Sequence, residues 1–337
     1  MRLSVIVPVH NGGDDLCSCL QGLRESSRHP DQLVVVDDAS TDGSGALAEE
    51  LGAQVVYLGG RPLGPAAARN RAAQVTDGDV LVFIDADVVV HADTLGSIER
   101  CLADHPDVAA LFGSYDDDPP GRSPFSRYKN LLHHYVHQHG NREASTFWAG
   151  CGAMRRKVFT ELGGFNERYG RPCIEDIELG VRLRRSGYTV RLCPEIQVTH
   201  LKQWTVGSLL RADILNRAIP WTQLMMRERH VPVDLNLGIA SRLSAVLAWG
   251  VVVAAATGFW DARLWLVSTL MLLGVAILNR RLYGFFAVRG GRLFAVGAAG
   301  FHLLYLLYSS AAFGITAALS LPGVLMEWRR DPGRQPR

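Results

Sequence analysis

VLVFIDADVVV, Val80 to Val90, is an apolar run broken by two carboxylates, Asp85 and Asp87. The five apolar residues Val80 to Ile84 are too few for a helix and rich in β-formers, so they predict a fully buried strand ending at the acids. In an open α/β sheet, ligands bind beyond the carboxyl ends of the strands. Carboxylates presented there can share a hard divalent cation with a diphosphate. A solvated acidic loop is the other reading, and Asp-x-Asp alone is too short to decide.

The chain on either side repeats the pattern. LSVIVPV (Leu3 to Val9) predicts a strand, Asp14 to Glu25 a helix carrying Leu16, Leu20 and Leu23, and LVVVDDAS (Leu33 to Ser40) a second strand that again ends in acids. Ser44 to Leu51 predicts a helix, QVVYL a third strand, and GPAAARNRAAQV (Gly64 to Val75) a helix opened by Pro65. Strands alternating with helices imply βαβ units and a largely parallel sheet. His10 and Asn11, Asp37 and Asp38, and Asp85 and Asp87 all fall at strand ends, as a nucleotide site on a sheet edge requires. The first turn, PVHNGGDDL, lacks a Gly-x-Gly-x-x-Gly fingerprint, and no phosphate-binding Gly-x-x-x-x-Gly-Lys loop occurs.

The 337 residues suffice for about two domains, and 35 basic against 33 acidic side chains give no support to a nucleic-acid partner. Almost all the acids precede Glu228, whereas Leu235 to Leu325 is mostly apolar. One half reads as soluble and the other as lipid-embedded. MRLSVIVPVH enters the first strand without a secretory signal, so the expectation is a cytosolic domain at the cytoplasmic (inner) membrane, multi-pass. The six cysteines show no zinc-site spacing and are expected reduced and mostly core.

PVHN (Pro8 to Asn11), VVDDASTDGS (Val35 to Ser44), GPAAARNRA (Gly64 to Ala72), FIDAD (Phe83 to Asp87) and IEDIELGVRLRRSGY (Ile174 to Tyr188) together closely resemble the motif series of family 2 glycosyltransferases with the GT-A fold. The resemblance covers about the first 205 residues. It implies an α/β GT-A fold, a Rossmann-like and mostly parallel mixed sheet, which the apolar stretches after it extend with an α-helical transmembrane region. It also implies inverting transfer from a nucleotide sugar, expected to be UDP-linked, with Mn²⁺ or Mg²⁺.

Residue roles carry over as implications of that resemblance. Pro8, His10 and Asn11 would line the donor site, with His10 packing on the base that Asp38 accepts a hydrogen bond from; a helix-capping or buried His10 is the alternative. Asp85 would lie near the ribose and Asp87 would bind the metal. Arg69 or Arg71 would reach the base or phosphates, against the ordinary reading of a solvated helix face. Inverting transfer to a hydroxyl needs a carboxylate base. The resemblance assigns it to Asp176, with Glu175 beside it, although Asp176 also suits a helix N-terminus. His200 in VTHLKQWT would be a further metal ligand, favouring Mn²⁺, or a structural histidine, and Lys202 would face the diphosphate. FWAGCGAMRRKVF (Phe147 to Phe159) matches the segment lining the sugar and acceptor pocket, where Gly150 and Gly152 permit close approach and Trp148 stacks on the acceptor or fills core. His133 and His137 share a helix face, yet no nearby carboxylate completes a metal site.

The expected organisation is a catalytic domain over 1–203, amphipathic interfacial helices over 204–236 divided by Pro220, a transmembrane region over 237–326, and a basic tail over 327–337. Three apolar segments are expected, Leu243 to Trp260, Leu264 to Leu278, and Phe294 to Leu325, with NRRLYGFFAVRGGR as a cytosolic loop; the basic tail conflicts with an odd number of spans, so the third segment is re-entrant, bent near Gly314, or an exception to the positive-inside preference, and no topology follows. The Gln-x-x-Arg-Trp motif of the family's processive synthases is missing, which favours a single transfer. A lipid or lipid-linked acceptor would account for the apolar helices: a polyprenyl phosphate, a glycerolipid or sterol-like alcohol, or a carotenoid. A sugar nucleotidyltransferase and a non-catalytic membrane scaffold are the competing readings.

Overall fold

The computed structural model describes residues 1–121, 123–229 and 238–330. Two compact units divide them, one formed by Met1–Arg122 with His137–Gln203, the other by Ser123–Val136 with Trp204–Arg337. The expected tail lies outside the described residues from 331 onward, as do 230–237 of the expected interfacial segment.

In the first unit β1 (Leu3–Val9), α1 (Gly13–Glu25), β2 (Gln32–Asp38), α2 (Ser44–Glu50), β3 (Gln54–Leu58), α3 (Pro65–Val75) and β4 (Val80–Ile84) alternate. The strands β3, β2, β1 and β4 lie side by side and parallel. Each carries an apolar run, and α1 covers the core with Leu16, Cys19, Leu20 and Leu23. β5 (Val88–Val90), α4 (Thr94–Asp104), β6 (Val108–Tyr115), β7 (Cys151–Arg155), α6 (Arg156–Glu161), α7 (Glu175–Arg185) and β8 (Thr189–His200) complete an eight-stranded mixed sheet of order β3-β2-β1-β4-β7-β6-β8-β5. β7 runs antiparallel to β4 and β6, and β5 antiparallel to β8.

The Val80 to Val90 stretch therefore serves two strands that are not neighbours. The Val88 N–H donates to the Asp85 carbonyl at 3.1 Å, closing a turn that carries the second apolar run away to pair with β8. The acids stand at that turn because a turn, unlike a strand interior, leaves carboxylates free to face a ligand.

The second unit is helical. α5 (Pro124–Gln138) gives it Tyr128, Leu131 and Leu132, which pack with Leu209, Leu282, Phe286, Ala295 and Ala298. α8 (Val206–Leu210) runs into a π-helical stretch, Arg211–Ala218, and then α9 (Ile219–Glu228). Pro220 opens α9 at its first turn, where its missing N–H costs little, so it marks a change of helical winding instead of a gap. α10 (Ile239–Thr257) packs on α11 (Arg263–Leu278), with Asn279 Nδ2 donating to Ser244 Oγ at 2.9 Å.

α12 (Arg280–Arg330) departs from expectation in two ways. The stretch expected as a loop, NRRLYGFFAVRGGR, is helical because Leu282 and Phe286 are core residues of this unit. The break falls at Gly291, with φ of 82°, a left-handed conformation open to glycine, and not at Gly314. Among the described residues, Ile239–Thr257 and Arg280–Leu321 are long and apolar enough to cross a membrane, and Arg263–Leu278 is a shorter apolar helix. Their faces are largely exposed at Val246, Val253, Leu266, Leu293 and Val296, and Phe259 and Trp260 between α10 and α11 are 81% and 85% exposed.

Candidate active site

The candidate site residues collect where β1, β2 and β4 end. At β1, Asn11 adopts φ of 55°, and at β2 Ala39 adopts φ of 59°, two uncommon left-handed residues held by side-chain bonds. The Asn11 N–H donates to Ser40 Oγ at 3.0 Å, the Thr41 N–H to Asn11 Oδ1 at 2.8 Å, and the Ser40 N–H to Asp37 Oδ1 at 2.7 Å. Pro8 precedes them, half-buried in β1. His10 is exposed, with Nδ1 2.7 Å from the Asp38 carbonyl, so the ring is available beside the strand ends. Asp38 itself is buried, and its two carboxylate oxygens accept the Leu63 and Gly64 N–H groups, each at 2.7 Å. It thereby fixes the turn entering α3. Gly64 has φ of 92° and a Cβ there would lie 2.7 Å from the Gly170 backbone, so only glycine fits.

Arg69 and Arg71 part company. Arg71 is exposed, whereas Arg69 is 3% exposed. Arg69 Nη2 donates to Asp85 Oδ1 at 2.7 Å and Nη1 to Glu175 Oε1 at 2.9 Å, while its guanidinium lies 5.3 Å from the centre of the Phe165 ring. Arg69 is therefore neither a solvated-face residue nor, in this structure, directed at a phosphate: it joins the end of β4 to the start of α7. Burial works against its charge, and Asp85 and Glu175 outweigh that penalty. Sequence periodicity could not show this, because an arginine two residues from another reads as surface.

Asp176, next to Glu175, is half-buried and accepts the Ala149 N–H at 3.1 Å and its neighbour Ile177 N–H at 2.7 Å. Burial and the adjacent Glu175 push its carboxyl up to about 6. Ala149 belongs to the predicted pocket segment, and Asp85 closes on the same segment through its N–H to the Gly150 carbonyl at 3.3 Å. Gly150 and Gly152 are needed there: a Cβ would come within 2.5 Å of the Trp148 ring at the first and 2.4 Å of the Trp148 carbonyl at the second.

Asp87 faces His200 across the β5–β8 ladder. His200 Nε2 and Lys202 Nζ lie 3.6 Å and 3.5 Å from Asp87 Oδ2. Although burial opposes ionisation, these two groups hold the Asp87 carboxyl well below the usual range. One oxygen and one imidazole nitrogen 3.6 Å apart suit two ligands of a single ion with bonds of about 2.1 Å. No set of three or more His, Cys, Asp or Glu side chains able to hold a metal occurs among the described residues. The residues thus fit a cation whose remaining positions are filled by non-protein oxygens, as Mg²⁺ ordinarily binds.

Two residues, Tyr115 and Asp15, were not legible as part of the site. Tyr115, buried at the end of β6, stacks on His200 with ring centres 4.1 Å apart and planes 7° from parallel, which fixes the imidazole. Trp148 meets Tyr115 edge-on at 4.8 Å and His137 at 4.9 Å. Asp15, in the first turn of α1, has its carboxyl raised by burial and then by the Asp87 charge; GGDDL after the first strand was the only signal. His133 and His137 do not form a pair: His137 packs on Phe112 and Trp148, and His133 bonds Arg217 Nη1 at 3.0 Å. The cysteines are free thiols, with Cys101 and Cys193 sulfurs 3.4 Å apart.

Residues 4–163 match the model of Glycosyl transferase family 2 and residues 140–306 that of Glycosyl transferase family 21. The chain is 25% identical over 238 residues to the O-antigen chain rhamnosyltransferase RfbN of Salmonella typhimurium, covering 66% of this chain and 75% of that one. It is 23% identical over 243 residues to the amylovoran biosynthesis glycosyltransferase AmsB of Erwinia amylovora, covering 67% and 78%. Among solved structures, the mannosyltransferase PcManGT of Pyrobaculum calidifontis, in complex with GDP-Man and Mn²⁺, superposes with a TM-score of 0.55 at 20% identity, covering 95% of this chain and 86% of that one. That likeness establishes the GT-A fold.

Proposed function

With residues 4–163 forming a glycosyl transferase family 2 domain in a glycosyltransferase of GT-A fold, we propose that the chain moves one sugar with inversion from a UDP-linked nucleotide sugar to a hydroxyl of a lipid-type acceptor. The observation that carries this reading is that Arg69 joins Asp85 to Glu175, whose neighbour Asp176 is held on the Ala149 N–H, while Asp87, two residues beyond Asp85, lies 3.6 Å from His200.

His10 and the backbone around Asp38 receive the nucleoside. Asp87 and His200 hold a divalent ion, and Lys202 adds positive charge on the same side. A bound ion supplies charge neutralisation for the nucleoside diphosphate leaving group. Asp176 takes the proton from the acceptor hydroxyl as that oxygen attacks the anomeric carbon, so the carboxylate must be ionised beforehand. The two long apolar helices and the exposed Phe259 and Trp260 support a bilayer location and an acceptor drawn from it. The similarity to an O-antigen chain rhamnosyltransferase and an amylovoran biosynthesis glycosyltransferase supports a glycan-building role.

The test is turnover of purified full-length protein with Mn²⁺, UDP- or GDP-sugars and a bacterial lipid extract, scored by the released nucleotide. Nucleoside diphosphate released only with lipid present, and lost in Asp87→Ala and Asp176→Asn, is the expected result. Release of pyrophosphate, or full transfer by both variants, overturns the reading.

A further inference from the structure

Arg69 is a buried cation at the centre of the site, 3% exposed. It comes from α3, and its two hydrogen-bonded ends reach the donor-side Asp85 at 2.7 Å and the base-side Glu175 at 2.9 Å. Only arginine offers two separate N–H edges on a rigid plane, so one side chain can hold two carboxylates from different elements. Its Nε is buried without a hydrogen-bond partner among the described residues. That cost is tolerated in exchange for a fixed fork, which Phe165 supports from the ring face.

Glu175 is equally buried, at 4% exposure, and its second oxygen accepts the Cys173 N–H at 3.0 Å. Among the described residues no cation is bonded to its neighbour Asp176, whose hydrogen bonds come from the Ala149 and Ile177 N–H groups. The charged and titratable groups that face Asp176 are Glu175 on its own helix, Arg69 on α3 and Cys173 in the preceding loop. The guanidinium charge is thus shared unequally, engaging Glu175 directly and Asp176 only at a distance.

We propose that Arg69 is a positioning residue of the transfer: by neutralising Glu175 and tying it to Asp85, it leaves Asp176 as the one carboxylate beside the acceptor free to take a proton. Arg69 touches no substrate in this role, which corrects its expected place among the donor ligands. The role presupposes Asp176 as the base, and the experiment separates the two.

The pH dependence of nucleoside diphosphate release is measured with full-length protein, UDP-sugar, Mn²⁺ and lipid extract for wild type, Asp176→Asn, Arg69→Met, Arg69→Lys and Arg69→Met/Glu175→Gln. Removing Arg69 leaves Glu175 as an uncompensated anion against Asp176. The acid limb of the profile then moves up by about one pH unit, an approximately tenfold loss of rate below the limb. Replacing Glu175 in the double variant returns the limb to its wild-type position. Arg69→Lys, which keeps the charge on a single point, keeps the limb and lowers the plateau, and it decides the matter if Arg69→Met does not fold. A limb unmoved in Arg69→Met, or unrestored in the double variant, or displaced in Arg69→Lys, overturns the role of Arg69. An active Asp176→Asn overturns the base assignment instead, whatever the Arg69 variants do.

Discussion

His200 stands against Asp87 because Val88 and His200 are register partners in the antiparallel β5–β8 ladder. A backbone bond from the Leu201 N–H to the Asp87 carbonyl at 2.8 Å locks the same junction. The 3.6 Å separation of the two side chains is consequently set by the sheet and not by a mobile loop. His200→Ala is expected to weaken Mn²⁺ binding in the presence of UDP by about 10–100-fold, read by calorimetry or Mn²⁺ EPR. Asp87→Ala is expected to abolish it; unchanged Mn²⁺ affinity in both would remove these residues from the metal site.

Asp176 sets the pH dependence. With its carboxyl raised to about 6, the protonated form dominates below that pH and cannot accept a proton. Transfer should therefore rise with pH through about 6 and level off above it. Asp176→Asn should lower kcat by about 10²–10⁴-fold while leaving the KM for nucleotide sugar little changed. Retained turnover with a phosphate acceptor would identify chemistry in which no base is required.

Gly180 tests the packing behind the base. It lies in α7, and a Cβ would stand 2.1 Å from the Phe147 backbone nitrogen. Alanine gains at most about 1 kcal/mol of helix propensity, whereas forced backbone movement costs about 1–3 kcal/mol. The clash should win, giving Gly180→Ala a lower Tm. Gly284→Ala, which meets no described atom within 4 Å, should match or exceed wild type; equal Tm for all three proteins would contradict the packing.

Lys129 and Asp213 form a buried ion pair in the helical unit, and Tyr308 OH donates to the other Asp213 oxygen at 2.6 Å. Lys129→Ala strands a buried carboxylate and is expected to cost about 3–5 kcal/mol. Lys129→Met combined with Asp213→Leu should recover most of that loss. Thermal unfolding in detergent reads both; a fully stable Lys129→Ala would contradict the buried pair's place in the core of this unit.

The parallel half of the sheet was legible because β1, β2 and β4 are apolar runs bounded by turn residues, with His10 and Asn11 at the end of the first and acids at the ends of the other two. What escaped was set by partners distant in sequence. Val88 to Val90 looks like a continuation of β4, but its edge position depends on pairing with β8. Arg69 looks like surface until Asp85 and Glu175 are brought to it. Tyr115 has no local mark as the residue that stacks on His200. In the helical unit the GG pair at 290–291 carries the bend because Gly291 can adopt positive φ, whereas Gly314 lies within continuous helix.

α5 has consequences for anyone who wishes to dissect this enzyme. Its Tyr128, Leu131 and Leu132 complete the apolar core of the helical unit, yet the helix is inserted between β6 and β7 of the sheet. A shortened protein that stops after Gln203 would retain those side chains while losing everything they pack on, exposing a greasy stripe in water. Excising 123–136 together with the C-terminal helices, and bridging the gap with a short polar linker, is the cut that respects the fold.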